Sequence, residues 1–299
     1  DVSSIRRGFR PTPQPTGTRC DNSGGRRRPN DTEIGPSLCP ARPTPRQAPQ
    51  VGRSDGGLAG IESGGDDAVL IALDPSGREL WRRGIASDGD DAVRVLTPTP
   101  DGGVLVGIPS TGSLGAPNQG GVDSYLREYD ANGEVVRRAS LHDPESVTVF
   151  GAAIREDGAW IVVGGGPEGP EDGADVPVFA RAIGADGADL WSARLGPARR
   201  DLEHDVAIAP DGTIVVTATT EADVAGANAG VTDALLTGLT ATGDVAWTLQ
   251  LGSPRFDSAA AVAAGPDGIW VAGSASGSLP GAAPDDGFDS DGWLWRFRY

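Results

Sequence analysis

The densest group of carboxylates in the chain is Asp285-Asp286-Gly287-Phe288-Asp289-Ser290-Asp291-Gly292. Alternating carboxylates broken by glycine suit a hard cation that takes oxygen ligands, so Asp285, Asp286, Asp289 and Asp291 are the expected ligands of a calcium ion. The closing Glu of a helix–loop–helix calcium site is absent, and the competing reading is a solvated turn whose aspartates bond nearby amides. No other cofactor is indicated. A second set, Asp91, Asp201 and Asp257, stands ten residues before three of the Asp-Gly pairs described below. Carboxylates that return with every unit read as structure, because hydrolysis needs one matched acid–base pair. His142 and His204 lie at corresponding unit starts, and neither has a Ser or Cys in a nucleophile motif beside it. Gly164-Gly165-Gly166 is followed by no Lys-Ser/Thr and cradles no phosphate. The expectation is therefore a protein that is not an enzyme.

Composition narrows the classes further. The chain has 299 residues, 38% hydrophobic and 22% charged, which is enough to build a core and too apolar for wholesale disorder. With 45 glycines and 24 prolines it is too rich in turns for a helical bundle. No apolar run approaches the ~18 residues of a spanning helix. All 25 basic residues are arginine, which removes Schiff-base and P-loop lysine chemistry. The Ala, Gly, Pro, Val, Asp and Arg bias points to a GC-rich bacterial genome.

Charge divides the chain. Residues 1–50 carry nine Arg against four acids, whereas residues 51–299 carry 16 Arg against 38 acids, a net of +5 against −22. An acidic body excludes nucleic acid as partner, since phosphates demand a basic footprint. Residues 1–50 also hold nine prolines and show neither helical nor strand periodicity. They read as an extended, non-globular arm with polyproline II tendency. A Cys20–Cys39 disulfide is its expected staple, worth roughly 3 kcal/mol for a loop of about 20 residues. Two cysteines in an otherwise cysteine-free chain, and a first residue that is Asp1, lead to the expectation of an exported protein in the periplasm, on the cell surface or outside the cell.

Residues 51–299 repeat. The pairs Asp101-Gly102, Asp157-Gly158, Asp211-Gly212 and Asp267-Gly268 are spaced by 56, 54 and 56. Gly77, Gly133, Gly187 and Gly243 show the same spacings, and four residues after each comes Trp81, Arg137, Trp191 or Trp247. Two independent registers with one drift define a repeat of ~56 residues. Each unit reads as four short strands, a to d, joined by Asp-Gly-type turns and by one long Gly-rich loop between b and c. In the unit at 91–141 these are Ala92–Leu96, Val104–Ile108, Asp123–Tyr129 and Glu134–Leu141. Runs such as Trp160-Ile161-Val162-Val163 are apolar on both faces, so one four-stranded antiparallel sheet cannot bury itself. Stacking the sheets around an axis buries both faces and protects the edges. The expected fold is an all-β propeller of about five blades. Three units are complete; c and d open the first, with b expected at Gly57–Glu62, and a, b and c close the last.

The recurring pattern resembles the bacterial β-propeller repeats known from seven-bladed rings. The segments Leu73-Asp74-Pro75-Ser76-Gly77-Arg78-Glu79-Leu80-Trp81 and Leu239-Thr240-Ala241-Thr242-Gly243-Asp244-Val245-Ala246-Trp247 are similar to the tryptophan-docking segment of quinoprotein-type propellers. The resemblance covers residues 56–299. It implies the fold, and it implies export, because that group occurs mostly on exported proteins and carries no single activity. Trp81, Trp191 and Trp247 are accordingly assigned to packing between blades rather than to sugar platforms. The b–c loops, residues 111–121, 165–174, 220–231 and 275–290, emerge on one face and form the expected interaction surface. The function expected is that of an accessory subunit of a larger assembly, bound to protein partners through these loops and the arm. A surface lectin or adhesin, calcium-assisted through the acidic cluster, is the alternative, ahead of a propeller enzyme.

Overall fold

The computed structural model describes residues 50–54, 65–142, 146–166, 175–199, 204–277, 279 and 290–298. The chain divides into two units, Asp1–Pro45 and Arg46–Tyr299. Cys20 and Cys39 lie outside the described residues, as does the rest of the first unit. No described residue is helical, and no helix is long and apolar enough to cross a membrane.

Five antiparallel sheets follow one another along the second unit, a propeller-like succession. The first contains β1 (Gln50–Ser54), β2 (Asp67–Leu73) and β3 (Glu79–Ile85). The second contains β4 (Val95–Pro98), β5 (Val104–Ser110), β6 (Asp123–Tyr129) and β7 (Val135–Leu141), each paired with the next. The third repeats this with β8 (Thr148–Ile154), β9 (Trp160–Gly165), β10 (Asp175–Ile183) and β11 (Asp189–Arg199), and the fourth with β12 (Asp205–Ile208), β13 (Ile214–Thr220), β14 (Asp233–Leu239) and β15 (Val245–Leu251). The fifth has β16 (Asp257–Gly265), β17 (Gly268–Ala275) and β18 (Asp291–Phe297). One correction concerns the first sheet: its b strand is Gln50–Ser54, paired with β2 from Gln50↔Ile71 to Ser54↔Asp67, and not Gly57–Glu62.

The core lies between sheets, as two-sided apolar strands demand. Ala68, Leu70 and Ile85 meet Val104, Val106, Ile108 and Tyr125 at the first joint. The alternate residues of the second sheet, Leu105 and Leu126, turn to Val149, Trp160 and Val162 of the third. Ile161 and Val163 meet Val216 and Leu235 at the next joint, and Val215 and Leu236 meet Ala259, Ile269 and Val271 at the last. Side chains thus alternate between the two neighbours with the period of two that a pleated strand imposes. Among the described residues no cluster joins the fifth sheet to the first.

Adjacent sheets are also pinned at their outer turns. The indole Nε1 of Trp81 donates to Ala131 O of the second sheet at 3.0 Å, and Trp191 donates to Ala241 O of the fourth at 3.0 Å. Each ring lies on a turn glycine, Gly133 (φ 79°) or Gly243 (φ 86°), where an added Cβ would come within 2.7 or 2.6 Å of the indole. The positive φ and the close approach both demand glycine. Arg137 occupies the tryptophan position in the second sheet; its guanidinium sits 3.4 Å from the ring centroid of Trp160 and donates to Gly158 O at 2.8 Å.

Candidate functional site at the loop end

The b–c loops of the second and fourth sheets share one construction. Asn118 N donates to Ser113 Oγ at 3.1 Å, and Asn228 N to Asp223 Oδ1 at 2.7 Å. Each Asn side chain then accepts the amide two residues on, from Gly120 at 2.9 Å or Gly230 at 2.7 Å. These are Asx turns, and they fix the loops without any regular pairing. The loop returns onto a buried aspartate that opens strand c. Asp123 Oδ2 accepts Gln119 N at 2.7 Å, and Asp233 Oδ2 accepts Ala229 N at 3.1 Å.

Strand d completes the two sites differently. In the fourth sheet Gln250 sews the loop together: its Nε2 donates to Asp233 Oδ2 at 2.9 Å and to Ala222 O at 3.0 Å, while its Oε1 accepts Val224 N and Ala225 N, both at 3.0 Å. Gly252 follows two residues later, where a Cβ would fall 1.9 Å from Asp233 Oδ1. In the second sheet those two positions are Ser140 and His142. Residues i and i+2 of a strand share a face. His142 Nδ1 lies 2.7 Å from Asp123 Oδ2, and His142 Nε2 lies 2.7 Å from Ser140 Oγ. Asp123 is fully buried, whereas the histidine side chain is 19% exposed. Tyr125, the cross-strand partner of Ser140, stands edge-on to the imidazole with centroids 6.0 Å apart. Its hydroxyl lies 3.1 Å from both Gly112 O and Ala116 O, and burial pushes its pKa up.

His142, which has no nucleophile motif beside it in the sequence, thus stands between a serine hydroxyl and a buried carboxylate. The clue was in the spacing: Ser140-Leu141-His142 on strand d faces Asp123 on strand c. Corresponding positions hold Gly84 and Ala86, Arg194 and Gly196, or Gln250 and Gly252 in the other units. His204 is placed elsewhere, buried with its ring 4.9 Å from that of Phe150.

Of the expected metal ligands, Asp285, Asp286 and Asp289 lie outside the described residues, and Asp291 is the exposed first residue of β18. Among the described residues no three His, Cys, Asp or Glu side chains are grouped to hold a metal. Asp91 and Asp257 are buried at the starts of their units, and burial raises the pKa of both. Asp201 lies outside the described residues. Loops 111–121 and 220–231 are described in full, 165–174 only at 165–166, and 275–290 only at 275–277, 279 and 290. Trp81 and Trp191 are half-buried on the neighbouring sheet's turn, while Trp247 is 38% exposed.

No protein-family model and no curated protein matches this chain. Solved structures are similar at low identity. A protein of unknown function from Bacteroides caccae shares 16% identity over 69% of this chain and 63% of its own, with a TM-score of 0.39. A luciferin-regenerating enzyme shares 13% over 76% and 70%, with a TM-score of 0.40. An ulvan-degrading polysaccharide lyase shares 9% over 72% and 59%, with a TM-score of 0.42. Two of these similar structures are enzymes, and the expectation that this protein is not an enzyme is withdrawn. At such scores the likeness assigns no substrate or mechanism to this chain.

Proposed function

We propose that this chain is a propeller whose loop end docks a protein partner, making it an accessory subunit of an exported assembly. The observation that carries the reading is an apolar contact point held by a rigid loop. Phe256 is 57% exposed beside exposed Val231; Val231 N donates to Arg255 O at 3.0 Å, and Ser276 N, after β17, donates to Phe256 O at 2.8 Å. The Asx turns and Gln250 brace the loop behind them. A large aromatic on a pre-ordered frame loses little entropy when covered, the quality of an interface hot spot. The basic segment 1–50 supplies a second contact, of opposite sign to the body.

Ring closure belongs to the same proposal. Leu70, Leu126 and Leu236 occupy one position of strand c and are buried at the joint to the following sheet. Leu294 occupies that position in the fifth sheet and is 62% exposed. A following sheet would bury it, and the first sheet is the one without a preceding neighbour in the series.

The test is the native mass of the protein isolated gently from its own cells, as wild type and as Phe256→Asp. A particle well above 30.5 kDa that releases this chain on the Phe256 substitution, or on deletion of residues 1–50, is the expected result. A particle near 30.5 kDa for the wild type would overturn the reading.

A further inference from the structure

We propose that Ser140, His142 and Asp123 form a hydrolytic triad at the loop end of the second sheet, acting on small, uncharged acyl esters. Such a constellation is recognised by geometry and role rather than by position in the chain. Three features of the geometry carry the assignment.

The first is the direction of the hydrogen bonds. Asp123 is fully buried, and its Oδ2 accepts the Gln119 amide at 2.7 Å as well as facing His142 Nδ1 at 2.7 Å. A carboxylate bonded by an amide N–H is an acceptor, so the proton of a neutral imidazole resides on Nδ1. Nε2 is then the base, and the Ser140 hydroxyl 2.7 Å away donates to it. Ser140 is the nucleophile, His142 the general base, and Asp123 the positioning residue.

The second is singularity. A buried aspartate recurs at the start of strand c in Asp67, Asp123 and Asp233. The Ser-x-His pair opposite it occurs in one unit only, and the matching sites hold Gly84 and Ala86, Arg194 and Gly196, or Gln250 and Gly252. Gln250 shows what bracing the loop alone requires, and among the described residues His142 makes no hydrogen bond to the loop.

The third is access and charge. Ser140 and His142 are half-buried, so the reacting atoms are partly shielded without being sealed. The wall beside Ser140 is the ring of Tyr125. A chain of net charge −17 repels anionic substrates, which favours neutral ones.

The reaction balances without a further reagent. Ser140 Oγ attacks the carbonyl carbon and its proton passes to Nε2. The C–O bond of the ester then breaks, and the leaving alcohol takes that proton. Water attacks the acyl-serine, giving its proton to Nε2, which returns it to Ser140 as the acid departs.

The test treats the full chain with a fluorophosphonate probe, maps the labelled residue, and follows hydrolysis of p-nitrophenyl acetate. Label on Ser140 is expected. The rate of hydrolysis should fall about a hundredfold in His142→Gln. That variant keeps a side-chain hydrogen bond to Asp123 within reach, so thermal melting should confirm that it folds. Asp123→Asn should slow labelling at least about tenfold. Folded wild-type protein left unlabelled at Ser140 overturns the proposal. So does an unchanged labelling rate in a His142→Gln variant that melts like the wild type.

Discussion

Asp91, Asp205 and Asp257 share one perturbation of opposite sign to that of the turn aspartates. Burial pushes all three carboxyls above their ordinary range; Asp205 nonetheless accepts Val262 N at 2.9 Å and Val206 N at 2.8 Å. Asp74 is the reverse case. Hydrogen bonds from the Ser76 hydroxyl and the Arg78 amide lower its pKa to about 2. A carboxyl raised on folding binds more protons in the native state, so its contribution falls as pH climbs from the usual carboxylate value to the raised one. A carboxyl lowered on folding contributes above the usual value and loses that contribution as pH falls towards about 2. Stability should therefore peak near the ordinary carboxylate pKa and decline on both sides. Urea unfolding from pH 2 to 8 measures this, and Asp74→Asn should flatten the acid limb. A profile rising steadily from pH 5 to 8 would contradict the burial account.

At the scale of elements, the turn tryptophans distinguish sheets that have a following neighbour from one whose neighbour is incomplete. Trp81 and Trp191 rest on the c–d turn of the next sheet, but the fifth sheet ends at strand c among the described residues, and Trp247 keeps 38% exposure. Truncating a half-buried tryptophan removes its contact area and its hydrogen bond. Trp81→Ala and Trp191→Ala should each cost about 2–3 kcal/mol, and Trp247→Ala about 1 kcal/mol or less, by denaturant titration. Equal losses at all three would show that docking on the turn adds nothing. The fifth sheet also departs from its repeat. Asp267-Gly268 aligns with the other turns, which makes Trp270 the counterpart of buried Trp160. Its hairpin closes instead at Gly265↔Gly268, and the turn between the strands is one residue shorter than in the third sheet, whose irregularity between Val149 and Gly151 matches the one between Ala259 and Ala261. That one-residue slip turns Ile269 and Val271 into the joint and leaves Trp270 39% exposed.

The whole second unit is governed by how its two end sheets are satisfied. Leu294, Trp270 and Ala272 share the outer face of the fifth sheet, as the pairs Ala272↔Leu294 and Trp270↔Arg296 place them. If this face is covered in solution, Leu294→Asp buries an unpaired charge and should lower stability by at least about 2 kcal/mol. Sedimentation then identifies the cover. A wild-type mass that stays at one chain across concentrations means closure on the first sheet of the same chain. A mass that grows, and reverts in Leu294→Asp, means a second copy in that place. A wild-type monomer with Leu294→Asp within about 0.5 kcal/mol of it would leave the face open to solvent and refute ring closure.

The repeat, the strand types and their turns were legible in the sequence because they depend on local chemistry. Asp-Gly and Asn-Gly turns set positive φ, and two-sided apolar runs can only be buried between sheets. Strands such as Asp123–Tyr129 and Asp233–Leu239 follow directly from those signals. Tertiary structure decided what depends on pairing across strands. It placed strand b of the first sheet at Gln50–Ser54, a segment without a distinctive pattern, because β2 lacked a neighbour on that edge. It slipped the fifth hairpin by one residue, which closes at Gly265↔Gly268. It brought Asp123 to His142 and Ser140 across 19 and 17 residues of chain, through a register that neither strand specifies alone. Chemistry at a distance is created by register, and register is fixed only when the sheets pack.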